Sequence, residues 1–112
     1  MICDSNFEIT NTVDEDITVT SGSKLILFGT MNGMLHLSNG SSCDIQGTHN
    51  GKIIVDAGCS LVIYGIFSGT IQNHGSVTIH GIADIKQKSG NAIAICKDAI
   101  VNGVTYSSDS SL

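Results

Sequence analysis

The stretch Gly22-Ser23-Lys24-Leu25-Ile26-Leu27-Phe28-Gly29-Thr30-Met31-Asn32-Gly33 is matched 18 residues later by Gly40-Ser41-Ser42-Cys43-Asp44-Ile45-Gln46-Gly47-Thr48-His49-Asn50-Gly51. It is matched again by Gly58-Cys59-Ser60-Leu61-Val62-Ile63-Tyr64-Gly65-Ile66-Phe67-Ser68-Gly69. Three glycine columns stay in phase through these copies, and Gly75 and Gly81 continue two of them after slightly shorter steps. A fixed period of about 20 residues describes one small unit stacked on copies of itself. Between the glycines, apolar and polar residues alternate, as in Lys24-Leu25-Ile26-Leu27-Phe28, which is the period of a strand and not of a helix. Short strands, glycine corners and a constant coil length predict an all-β, single-domain parallel β-helix (β-solenoid), with like positions stacked about 4.8 Å apart. The crossover rule makes the coil right-handed.

The apolar residues keep the same register: Leu25, Cys43, Leu61, Val77; Leu27, Ile45, Ile63, Ile79; Leu35, Ile53, Ile71; and Leu37, Val55. This predicts an inward-facing core at odd-numbered strand positions. Coils run over 17–33, 34–51, 52–69 and 70–85, the last two residues shorter, and a degenerate fifth continues the ladders through Ile93 and Ile95. The expectation is four to five coils of about 18 residues within 17–106. Residues 1–16 lie outside the repeat and are expected to cap the first coil, because a bare solenoid end exposes a strand edge and core. The polar tail 107–112 is expected to be disordered.

A chain of 112 residues is one domain. Charged residues make up 13%, against about 25% in ordinary domains, which suits stacked ladders where like sits on like. The net charge of −5 argues against nucleic acid and anionic membrane surfaces as partners and favours basic ones. No apolar run approaches the roughly 20 residues of a membrane-spanning helix. Met1-Ile2-Cys3-Asp4-Ser5 lacks the basic start and apolar core of a signal peptide, so a cytoplasmic location is expected. The four cysteines show no CxxC pair and no zinc spacing, so reduced thiols and no metal are expected.

Parallel β-helices include sugar-cleaving enzymes and acyltransferases, so catalytic groups matter. Glycoside cleavage needs two carboxylates about 5 to 9.5 Å apart across a cleft. Asp44 is the only acid on a central strand, Asp56 stands alone near a corner, and none of the four histidines has a nucleophile and an orienting acid in its row. The glycines precede no helix and form no phosphate loop. The reading is therefore non-enzymatic, with no catalytic residue and no cofactor. His49, between Met31 and Phe67 in an inward row, reads as a tolerated neutral corner histidine. His80 beside Cys96 supplies two metal-type ligands, too few for a site.

Two outward rows stand out. One reads Phe28, Gln46, Tyr64, His80, Cys96, and its neighbour reads Ile26, Asp44, Val62, Thr78, Ala94. A solvated face would carry Lys, Glu and Thr; aromatic and aliphatic side chains on a rigid flat face suit a protein-binding surface. Ile26, Phe28, Asp44, Val62, Tyr64 and His80 are therefore the candidate partner-binding residues. Five acids precede residue 17, whereas Lys86, Lys88 and Lys97 follow residue 85, an end-to-end charge asymmetry that would favour head-to-tail stacking.

Phe28-Gly29-Thr30-Met31-Asn32-Gly33, Tyr64-Gly65-Ile66-Phe67-Ser68-Gly69 and Asp98-Ala99-Ile100-Val101-Asn102-Gly103 resemble the coils of bactofilins over about residues 17–103. That resemblance implies a bacterial cytoskeletal protein that polymerises end to end without nucleotide. The chain is also similar to small acidic β-solenoid immunity proteins that accompany bacterial toxins, which implies a cytoplasmic inhibitor of a basic, nuclease-type toxin domain. Short length, acidity and the apolar-aromatic face put the immunity reading first and the self-assembling polymer second; monomer, dimer and filament are all compatible with the sequence.

Overall fold

The computed structural model describes residues 2–112 as a parallel β-solenoid of about six turns, with no helix among those residues. One sheet holds the central strands Lys24–Leu27, Ser42–Ile45, Ser60–Ile63, Ser76–Ile79 and Ala94–Ile95, stacked parallel in that order. The other bends around the remaining faces, so that Thr48–Val55 and Ile66–Asn73 each run through a corner as one strand. Leu25 pairs with Cys43, Cys43 with Leu61 and Leu61 with Val77, as the period requires. The odd positions fill the interior: Leu27, Ile45, Ile63, Ile79, Leu35, Ile53, Leu37 and Val55 are fully buried. The alternation puts one apolar side chain inward every second residue, so stacking alone closes the core.

The glycine columns have different physical causes. At Gly47 an added Cβ would lie 2.0 Å from the Gly29 carbonyl oxygen, so the corner is a close approach of successive backbones. At Gly69 that clash combines with φ of 146°, a region that L side chains rarely adopt. The Gly22, Gly40 and Gly58 column is open around its would-be Cβ and is there for a turn.

The shortened coil has a local cause. Asn73 stands in the buried column of Leu37 and Val55. Its Oδ1 accepts from the Gly75 amide at 3.1 Å and its Nδ2 donates to the Ala92 carbonyl at 3.1 Å. One buried amide thus closes a turn that takes two residues fewer, with its polar atoms satisfied.

Two expectations about the ends are corrected. Of residues 1–16, read as a cap outside the repeat, the described residues 2–16 form a further turn in register: Ile2–Cys3 pairs with Thr18–Val19, Phe7–Ile9 with Leu25–Leu27, and Thr12–Val13 with Thr30–Met31. The turn lacks the glycines by which the repeat is recognised, and counting it brings the stack to about six turns. The tail read as disordered returns instead, with Ser110–Ser111 antiparallel to Ala94–Ile95 and the Ile93 and Leu112 backbones exchanging two hydrogen bonds. Residues 98–106, expected to close the stack, add Ile100–Val101 beside Ile82–Ala83 and then turn into a hairpin: Asn102 and Gly103 both have positive φ, and Val104–Thr105 runs antiparallel to Ile100–Val101. An Asn-Gly pair between short strands is the sequence signal for that turn.

Candidate protein-binding corner

The two outward rows lie side by side on the sheet of Lys24–Leu27 and its stacked successors, as their spacing predicts. Phe28 is 47% and Tyr64 51% exposed, while Ile26 and Val62 are half-buried by their neighbours. The Tyr64 and His80 rings stack at 5.0 Å between centroids and 10° between planes. Cys96 Sγ lies 3.6 Å from His80 Nε2, so this row ends in a weak thiol–imidazole contact.

The rows are not one continuous apolar face. The rung of Asp44 and Gln46 separates Ile26 and Phe28 from Val62 and Tyr64, placing the two aromatics two rungs, or about 10 Å, apart. Asp44 is engaged within the chain by Lys24 Nζ at 3.1 Å. Thr78 and Ala94 complete the second row.

Sequence reasoning missed the residues across the corner. The outward row Thr30, Thr48, Ile66, Ile82, Ile100 changes from threonine to isoleucine halfway along the stack. Ile66 is 46% and Ile82 45% exposed. Each is separated only by a glycine, Gly65 or Gly81, from Tyr64 or His80. Because those glycines carry no side chain, Tyr64, His80, Ile66 and Ile82 form one ridge along a rigid corner. The signal was in the sequence as an isoleucine in an outward column, a position where the pattern calls for a polar residue.

Elsewhere, Asp56, which its row leaves alone, is paired with His36 Nε2 at 2.8 Å across adjacent rungs. The nearby Ser38 hydroxyl donates to the Val19 carbonyl at 3.4 Å and is not aimed at the imidazole, so the pair does not activate it. On another face, Asn50 Nδ2 donates to Asn32 Oδ1 at 3.0 Å and Asn32 Nδ2 to Asp14 Oδ1 at 2.7 Å, a polar ladder along the stack. Asp16 Oδ1 accepts from the Met34 amide at 2.8 Å. Part of the N-terminal acidity therefore holds the first turn onto the second.

His49 is fully buried, stacked on Phe67 at 5.6 Å and 17°, and both ring nitrogens lack a hydrogen-bond partner. Burial pushes its pKa down to about 4; the Gly33 carbonyl opposes this without forming a bond of acceptable geometry. The imidazole is neutral at physiological pH and behaves as a core ring. Cys3, Cys43 and Cys59 are buried free thiols, with those of Cys3 and Cys43 raised in pKa chiefly by desolvation, and Cys96 is partly accessible. No group of three or more His, Cys, Asp or Glu residues that could hold a metal occurs among the described residues, and no helix among them is long and apolar enough to cross a membrane. Compared with family models, with curated proteins and with solved structures, the chain matches none of them significantly.

Proposed function

We propose that this protein is a non-enzymatic binding solenoid that acts as an acidic immunity protein, docking a basic, nuclease-type toxin domain of bacterial origin. The observation that carries this reading is the corner ridge of Tyr64, His80, Ile66 and Ile82, flanked along the stack by Phe28. Phe28, Tyr64, Ile66 and Ile82, each about half exposed, cost solubility and gain little for the fold. Tyrosine and isoleucine anchors on a stiff backbone lose little entropy on docking, which favours affinity. The net charge of −5 speeds encounter with a cationic domain and disfavours acidic competitors. The role requires a cytoplasmic location.

The test is co-expression with a basic toxin domain, read as recovery of growth and as a stable complex in size exclusion. A variant carrying Tyr64→Ala, Ile66→Ser and Ile82→Ser should keep the wild-type melting temperature and lose protection. Protection that survives in the folded triple variant removes the ridge from the account.

The N-terminal edge of the stack, unpaired among the described residues, favours a second reading, a bactofilin-like polymer assembled end to end. Against it stand the returning strands Val104–Thr105 and Ser110–Ser111, which occupy the other end. Light scattering over a hundredfold concentration range separates the two: a growing mass supports the polymer, and a constant small species supports the inhibitor.

A further inference from the structure

The two ends of the solenoid are built differently. At the C-terminal end both sheets finish on a strand that folds back antiparallel, Val104–Thr105 on one and Ser110–Ser111 on the other. At the N-terminal end Ile2–Cys3 and Phe7–Ile9 are the outermost strands of their sheets, and each pairs on one side only among the described residues. Phe7 stands in the inward column of Leu25 and Cys43, yet it is 47% exposed, with no strand on its outer side among the described residues. Ile2, in the outward column of Thr18 and His36 on the other sheet, is 71% exposed. An outermost strand with backbone groups unpaired on one side, next to an exposed Phe7, is a template for one more strand.

The surroundings state what that strand must be. No Lys or Arg precedes Lys24, whereas Asp4, Glu8, Asp14, Glu15 and Asp16 all lie in the first turn. Asp4 and Glu8 are exposed next to the open edge. A cleft of about 330 Å³ opens there, lined by Asn6, Phe7, Glu8, Lys24 and Ile26. Lys24 is already paired with Asp44, which leaves the Glu8 carboxylate as the cleft's unneutralised charge. A second copy presenting the same end would set carboxylates against carboxylates, which disfavours an end-to-end pair of this chain.

We infer that the N-terminal end is a docking edge for a basic, extended peptide segment of a partner protein, which adds to Phe7–Ile9 as a further rung. Main-chain hydrogen bonds hold the segment, and its alternate side chains decide specificity. A lysine or arginine stem lies along Phe7 and Ile26 in the cleft, and its cationic head meets Glu8. This surface is separate from the corner ridge, and it stands or falls without it.

The probe is a short synthetic peptide alternating lysine and valine, titrated into isotope-labelled protein and followed by amide NMR. Its counterpart with glutamate in place of lysine is the control. Saturable shifts across Phe7, Glu8 and Ile9, with slowed exchange at the outward-facing Glu8 amide, are expected with the basic peptide only. Binding should weaken about tenfold or more in the Asp4→Lys, Glu8→Lys variant at unchanged melting temperature, and also when salt screens the rim. The Tyr64→Ala, Ile66→Ser, Ile82→Ser variant should bind the peptide normally, so failure of the ridge and failure of the edge are told apart. Equal binding of the acidic peptide, shifts confined to other faces, or no saturable shift overturns the inference. So does self-association by sedimentation that Phe7→Lys abolishes, because the edge would then belong to a second copy.

Discussion

Replacing His49 with methionine should stabilise the protein at neutral pH and remove an acid-sensitive limb from its stability. The ring sits between Met31 and Phe67 in a fully buried column, with neither nitrogen paired. Unfolded, the imidazole takes a proton below about pH 6.5; folded, burial holds it neutral down to about pH 4. Between those values only the unfolded chain binds the proton, so the folded state is fully favoured above the window and loses ground as pH falls through it. The gap corresponds to about 3 kcal/mol in total, of which about 2 kcal/mol is lost by pH 5. At neutral pH, methionine removes two unsatisfied nitrogens and matches Met31 one rung away, which should gain about 1–2 kcal/mol. Urea unfolding followed by circular dichroism at about pH 7.5 and pH 5 measures both effects. The other titrating groups are shared, so the informative quantity is the difference of differences: wild type should lose about 2 kcal/mol more than His49→Met on acidification. Equal losses in the two proteins would refute the reasoning. A variant less stable at both pH values would mean that ring stacking on Phe67 outweighs the unpaired nitrogens.

Other outcomes follow from the same structure. Gly47→Ala forces a Cβ to 2.0 Å from the Gly29 oxygen and should lower stability by several kcal/mol or prevent folding, whereas Gly40→Ala, open on all sides at φ 74°, should cost only about 1–2 kcal/mol; thermal melts compare them. Leu61→Ala opens a hole in the central column and should cost about 2–5 kcal/mol by urea titration at an unchanged m-value. Asn50→Ala breaks the ladder to Asn32 and Asp14 at an exposed edge and should cost no more than about 1 kcal/mol. A thiol-alkylating reagent should label Cys96 in the native protein and reach Cys3, Cys43 and Cys59 only on unfolding, which peptide mass spectrometry reads directly.

Much of the fold is legible because a solenoid is nearly one-dimensional: the partner of a residue on the next rung is the residue one period later. Cys43 under Leu25 and His49 under Met31 needed no more than that rule. The candidate site was half legible. Phe28, Tyr64 and His80 were found as an outward row, but Ile66 and Ile82 belong to a different strand, and only the sharpness of the glycine corner brings them beside it. His36 and Asp56 meet across a step of 20 residues, because one side chain leans along the strand toward its neighbour, and no column contains both.

The sequence by itself determined the coil length, the inward columns and the corners, since each follows from the spacing of glycine and apolar residues. Only the tertiary structure decided the ends. Residues 2–13 carry no glycine repeat, yet they join the stack because the free edge of the next turn offers their backbone the same hydrogen bonds. At the other end Asn102–Gly103 reverses the chain, and two short strands cover the last rung antiparallel. Whether a rung is covered depends on what lies beyond it. A periodic sequence carries no statement of that at its own boundary, and there the pairing of free backbone groups makes the choice.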